Sequence, residues 1–178
     1  MELLGRTGIG NISLRQIAAE VGTSHRMLLY HFQSREGLLL AVVEEMERRN
    51  TEALSSLTST ATGADLVDQA WTFWKLAADN ASTFGPLFFE LSSQAMLGRA
   101  DTEKLWARNF DLWHESLTRL WHAFGLDERS AQRRARLNLA VARGLLHDLL
   151  LTGDRRAVDA AMRDFVDLAL SGLEHQRG

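Results

Sequence analysis

Apolar positions near the N-terminus repeat at the spacing of a short α-helix. The repeat follows i, i+3, i+4 and i+7 and consists of Leu14, Ile17, Ala18 and Val21. Ser13 and Gln16 stand three residues apart at its start, which is the pattern of a capping box. Gly22 follows the repeat, and glycine commonly takes the left-handed conformation that ends a helix. The pattern predicts a helix of about two turns that ends at Gly22.

A second short helix is expected to follow at once. Ser24 can cap its start, and Leu28 with Phe32 returns an apolar face toward the first helix. Ala18 supplies the small side chain that two helices need where they cross closely. Two short helices joined by a tight turn are the pattern of a helix-turn-helix, which the sequence predicts over Ser13–Phe32.

The remaining chain carries longer helical stripes and no extended stretch with the two-residue period of a β-strand. Six further helices are expected, at 35–57, 64–80, 84–97, 102–124, 128–151 and 155–173. Pro86 falls in the first turn of the third of these, where proline is tolerated. We therefore predict an all-α protein with an N-terminal helix-turn-helix domain at residues 1–48 and a larger helical domain at residues 49–178.

Composition limits the classes of protein that fit this pattern. The chain has no cysteine, which excludes disulfides, zinc–thiolate sites and thiol nucleophiles. No apolar run approaches the ~20 residues that a membrane span requires, and the first residues lack the pattern of an export signal. The net charge is −3, but residues 1–35 contain four arginines and two acidic residues, a local balance of +2. A cytoplasmic protein with a small basic N-terminal unit is expected.

Residues suited to catalysis or metal binding are sparse. His114–Glu115 does not extend to the H-E-x-x-H zinc motif, because Thr118 occupies the place of the second histidine. His114 and His122 lie about 80° apart on a helix, which makes them poor co-ligands. Neither a G-x-S-x-G motif nor a phosphate-binding glycine loop occurs. We expect no enzymatic activity, no metal and no cofactor.

The segment Leu28–Leu39, LLYHFQSREGLL, resembles the end of the DNA-binding domain in TetR-family transcriptional repressors. The family pattern is matched at Leu28, His31, Phe32, Arg35, Glu36 and Leu38. The resemblance covers residues 11–45, and beyond them only length and helical architecture agree. Two departures are visible: Leu29 stands where many members have a tyrosine, and only the last turn of the family's first helix precedes Asn11. The helix-turn-helix would then lose part of its cover.

The resemblance implies a role for the second short helix. In the family, the first turn of this helix meets base edges and its end meets phosphates. The residues that would contact DNA are Arg15, Ser24, His25, Arg26, Met27, Tyr30, His31 and Arg35. Arg26 suits a bidentate contact with guanine O6 and N7. For Tyr30 and His31 the alternative is that they complete the small core.

Aromatic side chains are dense between residues 71 and 124, and the chain contains five tryptophans. Most of these belong to an ordinary core, yet buried indole N–H groups need hydrogen-bond partners. A cavity for a small, largely apolar effector fits the role of this region in the family. Its predicted lining is Trp71, Trp74, Phe88, Gln94, Trp106, Phe110, Trp113 and His114.

The last two predicted helices carry continuous apolar stripes. The resemblance implies that these two helices from each subunit form a four-helix bundle and so make a homodimer. The predicted dimer contacts are Leu137, Val141, Gly144, Leu145, Val158, Met162, Phe165, Val166 and Ala169.

The function expected from the resemblance is that of a homodimeric repressor. It would bind a palindromic operator in double-stranded DNA and be released by its effector. An alternative from a different class is a helical ligand-binding or interaction protein that has lost DNA binding together with its first helix. A helical enzyme would need converging titratable groups, which the sequence does not display.

Overall fold

The computed structural model describes residues 12–60, 64–98 and 100–174. Seven α-helices account for most of these residues: α1 Leu14–Glu20, α2 His25–Phe32, α3 Arg35–Thr60, α4 Ala64–Met96, α5 Ala100–Ala123, α6 Glu128–Thr152 and α7 Arg155–Glu174. The described ranges contain no strand, so the predicted all-α class is confirmed. The shortened first helix expected before Asn11 lies outside the described residues. No helix in the described ranges is long and apolar enough to cross a membrane.

The start of α1 confirms the capping box predicted from Ser13 and Gln16. The Ser13 hydroxyl accepts a hydrogen bond from the Gln16 backbone N–H at 3.3 Å, and the Ser13 N–H donates to the Gln16 side-chain oxygen at 2.8 Å. The end of α1 is equally specific. Gly22 has φ +70°, and the Thr23 N–H reaches back to the Ala18 carbonyl at 2.9 Å. This is the Schellman arrangement, which satisfies a helix-end carbonyl and requires a positive φ at the glycine.

The prediction of two helices at 64–80 and 84–97 is wrong, because α4 continues through Pro86 to Met96. An interior proline removes one helical hydrogen bond and costs about 3 kcal/mol. Apolar side chains on both sides of the proline offset that cost. Those that are buried are Leu66, Trp74, Ala78, Ala81, Leu87 and Leu91. Packing over the whole length therefore keeps α4 helical where the local sequence favours a break.

The chain divides into two compact units that do not follow its linear order. Unit 1 consists of Met1–Arg49 and Asn80–Asn109, and unit 2 of Asn50–Asp79 and Phe110–Gly178. The first boundary falls within α3, one residue from the boundary predicted between residues 48 and 49. The second half of α4 and the first half of α5 also belong to unit 1, which no local sequence pattern announces. The functional division into a DNA-binding and an effector-binding domain remains a prediction.

The core of unit 1 joins the helix-turn-helix to α3, α4 and α5. Its buried side chains are Ile12, Leu14, Ile17, Ala18, Leu28, Leu38, Leu39, Val43, Leu87 and Leu91. Phe32 and Trp106 pack against this cluster. Val21, which the helical stripe predicts to be apolar core, is instead 59% exposed because α1 ends one residue earlier.

Unit 2 contains two apolar clusters that are bridged by α7. Leu117, Leu120, Trp121, Leu139 and Ala169 belong to the larger cluster. The smaller cluster joins Trp74 and Ala78 of α4 to Val158 and Met162 of α7. Phe165 packs against both clusters and so links them.

A polar network fixes α7 to α4 within unit 2. The Trp74 indole N–H donates to the Asp159 carboxylate at 2.8 Å. Arg155 donates to the same carboxylate at 2.9 Å and to Asp79 at 2.5 Å. Asp79 hydrogen bonding raises the Arg155 pKa above its usual range. The network satisfies a buried indole and holds the start of α7 in register with α4.

His122 uses both of its ring nitrogens to close the turn between α5 and α6. Its Nδ1 lies 2.9 Å from the Leu126 carbonyl oxygen and its Nε2 2.7 Å from a Glu128 carboxylate oxygen. The hydrogen bond to Glu128 raises the pKa of His122, and the same contact lowers the pKa of Glu128. Both ring nitrogens are thus engaged in closing the turn.

Candidate nucleic-acid interface and aromatic region

Helix α2 presents one buried edge and a wide exposed face. Leu28 is buried against the core of unit 1, whereas Arg26 and Tyr30 are exposed. At 3.6 residues per turn, Arg26 and Tyr30 lie about 40° apart and point away from Leu28. Met27 and Leu29 flank them on the two sides. Arg26, which is predicted to meet DNA bases, therefore lies at the centre of the outward face of α2.

Tyr30 and His31 do not complete the core. Tyr30 is 78% exposed, and His31 is also exposed. Their rings touch each other edge to face, with centroids 5.3 Å apart. Both side chains remain accessible at the end of α2, and their proposed contact with phosphates remains a prediction.

Ser24 and Arg35 have structural contacts of their own. The Ser24 hydroxyl caps α2 by accepting from the Met27 N–H at 3.1 Å. Arg35 Nε donates to the Ile12 carbonyl at 2.9 Å, and its side chain is partly buried. Arg15 is exposed on α1 and His25 is half-buried at the start of α2. Ser24 and Arg35 thus hold the motif together, whereas Arg15 and Arg26 present exposed cations.

Gly37, just after the turn from α2 to α3, has a structural role that was not predicted from the sequence. Gln33 adopts φ +64°, and the Ser34 N–H donates to the Phe32 carbonyl at 2.7 Å. The same carbonyl oxygen would lie 2.2 Å from a Cβ placed on Gly37. Real side chains do not tolerate that distance to a backbone atom. Gly37 therefore allows α3 to begin directly against the end of α2, and its place three residues after Ser34 is the available sequence signal.

Charge favours an anionic partner for this surface. Described residues 12–35 contain three arginines, Arg15, Arg26 and Arg35, and one acidic residue, Glu20. The balance is +2, whereas the whole chain carries −3. A positive local field on an acidic body is suited to attract a nucleic-acid backbone.

The eight residues predicted to line an effector cavity fall into three groups by their described contacts. In unit 1, Phe88 meets Trp106 edge to face at 4.5 Å. The Trp106 N–H donates to the Leu91 carbonyl at 3.0 Å, and Gln94 lies 3.5 Å from Glu90 on the same helix. Trp106 therefore has the partner that a buried indole needs without any ligand.

The second and third groups lie in unit 2. Trp71 carries the Arg163 guanidinium 4.6 Å from its ring centroid, and the adjacent Trp74 is buried and bound to Asp159. Phe110 stacks on His114 at 5.8 Å. Trp113 contacts Phe73 at 5.9 Å, and His114 Nε2 lies 3.0 Å from the Gln132 carbonyl oxygen. Trp74 is thus a core residue, and its role as cavity lining is not supported.

Asn109 is a polar residue of a different kind. Its side chain is 1% exposed, and its Nδ2 has no hydrogen-bond acceptor among the residues that the structure describes. It lies one helical turn after Trp106 on α5. An unpaired buried amide donor costs about 1–3 kcal/mol, so this position is poised to gain from any acceptor that reaches it.

The predicted dimer contacts differ in how much surface they leave exposed in the protomer. Val158, Met162 and Ala169 are at most 4% exposed because they pack inside their own chain. They have almost no surface left to bury against a second copy. Val141, Leu145, Phe165 and Val166 are half-buried against the same clusters. Leu137 and Gly144 remain exposed on α6.

The surface that is free for association lies on the other side of α6 and α7. On α6 it consists of Leu137, Ala140, Gly144 and Leu151, and on α7 of Ala157, Ala161 and Leu168, all exposed. We call these residues the outer stripe. Leu151 and Leu168 are 74% and 73% exposed. Each of the two helices therefore carries a buried apolar face and an exposed one, and the face that meets a second copy remains a prediction.

Comparisons with known proteins agree with this geometry. Residues 1–42 match the family described as bacterial regulatory proteins, tetR family. The HTH-type transcriptional regulatory protein RaaS of Mycobacterium tuberculosis is 29% identical over 182 residues, which cover 98% of this chain and 79% of that protein.

Solved structures share the fold over nearly the whole chain. A TetR transcriptional regulator from Legionella pneumophila matches with a TM-score of 0.73 and 21% identity, over 94% of this chain and 91% of that chain. A protein from Saccharomonospora viridis in complex with choline matches with a TM-score of 0.71 and 20% identity, over 93% of this chain and 90% of that chain.

The capped helix-turn-helix, its exposed second helix and the all-α body define a DNA-binding transcriptional regulator rather than an enzyme. Residues 1–42 match the TetR family of transcriptional regulators, and the chain as a whole is similar to regulators of this kind.

Proposed function

We propose that this regulator is a cytoplasmic homodimeric repressor that binds a palindromic operator and is released by a small, largely apolar effector. The observation that carries the DNA-binding part is the outward face of α2. Arg26 stands at its centre with a guanidinium that can bind guanine O6 and N7 together. Arg15 on α1 adds a second exposed cation beside the motif. The alternative of a protein that has lost DNA binding is not favoured, because this face is intact and exposed.

The outer stripe supports a dimer made by α6 and α7. Small residues allow close approach of helices, and the exposed leucines at both ends supply apolar area for a partner. An isologous dimer has two-fold symmetry. Two-fold symmetry in turn places two copies of α2 on half-sites about one DNA turn, 34–36 Å, apart.

Replacing Leu168 with glutamate is expected to convert the dimer to monomers. Leu168 is exposed in the protomer, so the protomer should fold, but two buried carboxylates would oppose association. Sedimentation velocity at micromolar concentration measures the outcome. Leu76→Glu is the matched control, because Leu76 is 50% exposed on α4 and lies outside the stripe. A Leu168→Glu dimer that persists unchanged would place the interface elsewhere.

Three side chains of unit 1 support the proposed effector region. Trp106 and Phe88 form an aromatic pair at the edge of the unit 1 core, and Asn109, one helical turn after Trp106, has a buried donor without an acceptor among the described residues. A mostly apolar site with few polar groups is typical of small-molecule binding. The related S. viridis fold binds choline, which supports the capacity of this architecture to hold a small molecule. We infer an effector with an apolar body and one hydrogen-bond acceptor.

Release would be transmitted by α3, which contributes residues to both units. Its first turn is locked to α2 through the Phe32 carbonyl and Gly37. A shift of α3 would therefore move α2, the helix proposed to contact DNA bases. A coupling free energy of about 1–3 kcal/mol suffices for 5- to 150-fold control of DNA affinity.

The proposed DNA binding is tested by measuring the affinity of the full chain for the DNA upstream of its own gene and for unrelated DNA, each at two salt concentrations. Both affinities should fall with salt because phosphate contacts release counterions. Only the upstream DNA should show a protected inverted repeat. Salt-dependent binding without any protected repeat would instead support the alternative that sequence-specific binding has been lost.

A further inference from the structure

Three of the exposed side chains of α2 are large and mostly apolar. Met27 is 45% exposed, Leu29 is 38% exposed and Tyr30 is 78% exposed, all within the eight residues of α2. Leu29 is the position at which the sequence departs from the tyrosine of many family members. Its exposure means that the substitution changes the surface that faces a ligand, not the core.

Helical geometry places these apolar side chains around the one cation of the face. Leu29 lies about 60° from Arg26, and Met27 lies about 60° from Tyr30, on the opposite side. Arg26 and Tyr30 thus form the centre of the outward face, and Leu29 and Met27 form its two margins. A helix in the major groove would present the arginine between two apolar patches.

The major groove offers one apolar feature of its own, the 5-methyl group of thymine. The other groups on base edges there are hydrogen-bond donors and acceptors, which aliphatic side chains cannot satisfy. An exposed leucine or methionine beside Arg26 would leave those polar groups without partners. Opposite a thymine, the same side chain buries the 5-methyl group, which has no hydrogen bond to lose.

We propose that Leu29 and Met27 are specificity-determining residues that contact thymine methyl groups on the two sides of the guanine bound by Arg26. The inference rests on the proposed sequence-specific DNA binding. The bases on the two sides of the guanine would then be thymines. The leucine that replaces the tyrosine of many family members at position 29 would have a role in base recognition.

The test begins by selecting bound duplexes from a random-sequence library with the full chain. Each thymine of a selected half-site is then replaced by deoxyuridine, which removes the 5-methyl group and keeps the base pair. Wild-type affinity should fall about fourfold at each contacted thymine, the factor that corresponds to ~0.8 kcal/mol for one buried methyl group. Deoxyuridine outside the half-sites is the control and should have no effect.

Side-chain variants assign each methyl group to its partner. Leu29→Ala should bind the thymine duplex more weakly and should become insensitive to deoxyuridine at one thymine, while Met27→Ala should do so at another. Leu29→Met keeps an apolar side chain and should restore the sensitivity. Circular dichroism and a thermal melt of each variant verify folding, which the exposure of Leu29 and Met27 should preserve.

Two results overturn the proposal, and they are distinguishable. If sequences are enriched but every deoxyuridine substitution is neutral, the methyl contacts are absent; if the alanine variants keep the full sensitivity, other side chains make them. In both cases the proposal fails while the regulator function stands. If no sequence is enriched at all, the inference fails together with the proposed function.

Discussion

Replacing Arg26 with alanine is expected to reduce affinity for the operator by about 5- to 150-fold, which corresponds to the ~1–3 kcal/mol of discrimination from one bidentate contact with guanine. Arg26 is exposed, stands at the centre of the outward face of α2 and is not part of the unit 1 core. Its removal should leave the fold unchanged. Affinity for random-sequence DNA should fall far less, because one phosphate-attracting charge among several is lost.

The control for Arg26→Ala is Arg129→Ala, which removes the same charge from an exposed position on α6. Fluorescence anisotropy on operator and random duplexes at the same salt concentration gives the two losses. If Arg26→Ala weakens both duplexes equally, Arg26 is a phosphate contact and base recognition lies elsewhere. If Arg129→Ala produces the operator-specific loss, the recognition surface is not α2.

Replacing Gly37 with alanine is expected to destabilise the protein by about 1–3 kcal/mol, in the range of overpacked sites. The added Cβ would fall 2.2 Å from the Phe32 backbone oxygen. This oxygen is held by the Ser34 N–H at the end of α2, so it cannot turn aside as a flexible side chain could. The turn must open, which should also shift α2 and lower operator affinity.

Gly144→Ala is the matched control for Gly37→Ala, and both are made in the monomeric Leu168→Glu background because Gly144 belongs to the outer stripe. Both glycines are helical, but a Cβ at Gly144 meets no atom of the described part of the protomer within 4 Å. Alanine there should stabilise the helix by up to about 1 kcal/mol. Urea unfolding of both variants at one protein concentration gives the comparison. If both substitutions stabilise to the same degree, the close approach at Phe32 does not exist in solution.

The local parts of the fold were predictable from the sequence. Ser13, Gln16 and Gly22 specify where α1 begins and ends through hydrogen bonds that span only a few residues. Ser24 does the same for α2. The helix-turn-helix and its exposed Arg26 followed from these short-range signals together with the family resemblance.

Features that depend on distant parts of the chain were not predictable. Pro86 marks a local break, yet packing on both sides overrides it. Val158 and Met162 have the same periodicity as an interface residue, and only Trp74 and Ala78, about 80 residues earlier in the chain, determine that they are core. Periodicity identifies an apolar face but not the surface that covers it.

The site residues divide in the same way. The outward direction of Arg26 could be predicted because it depends on one helix alone, whereas its contact with DNA remains a prediction. The proposed cavity could not be, because Trp74 and Trp106 find their hydrogen-bond partners on Asp159 and Leu91, which the sequence pattern does not connect to them. Asn109 could be named from the sequence as a candidate polar contact, but its burial and its unpaired Nδ2 depend on packing that the sequence pattern does not reveal.

We propose that the chain binds DNA as a two-fold dimer through α2, and hydroxyl-radical footprinting of the full chain on duplexes selected from a random library measures this. We expect an inverted repeat in which each half contains a guanine, with the two protected segments centred about one DNA turn apart. Arg26→Ala should abolish the selection of that guanine. A single protected segment without dyad symmetry, or uniform protection along the DNA, would contradict the account.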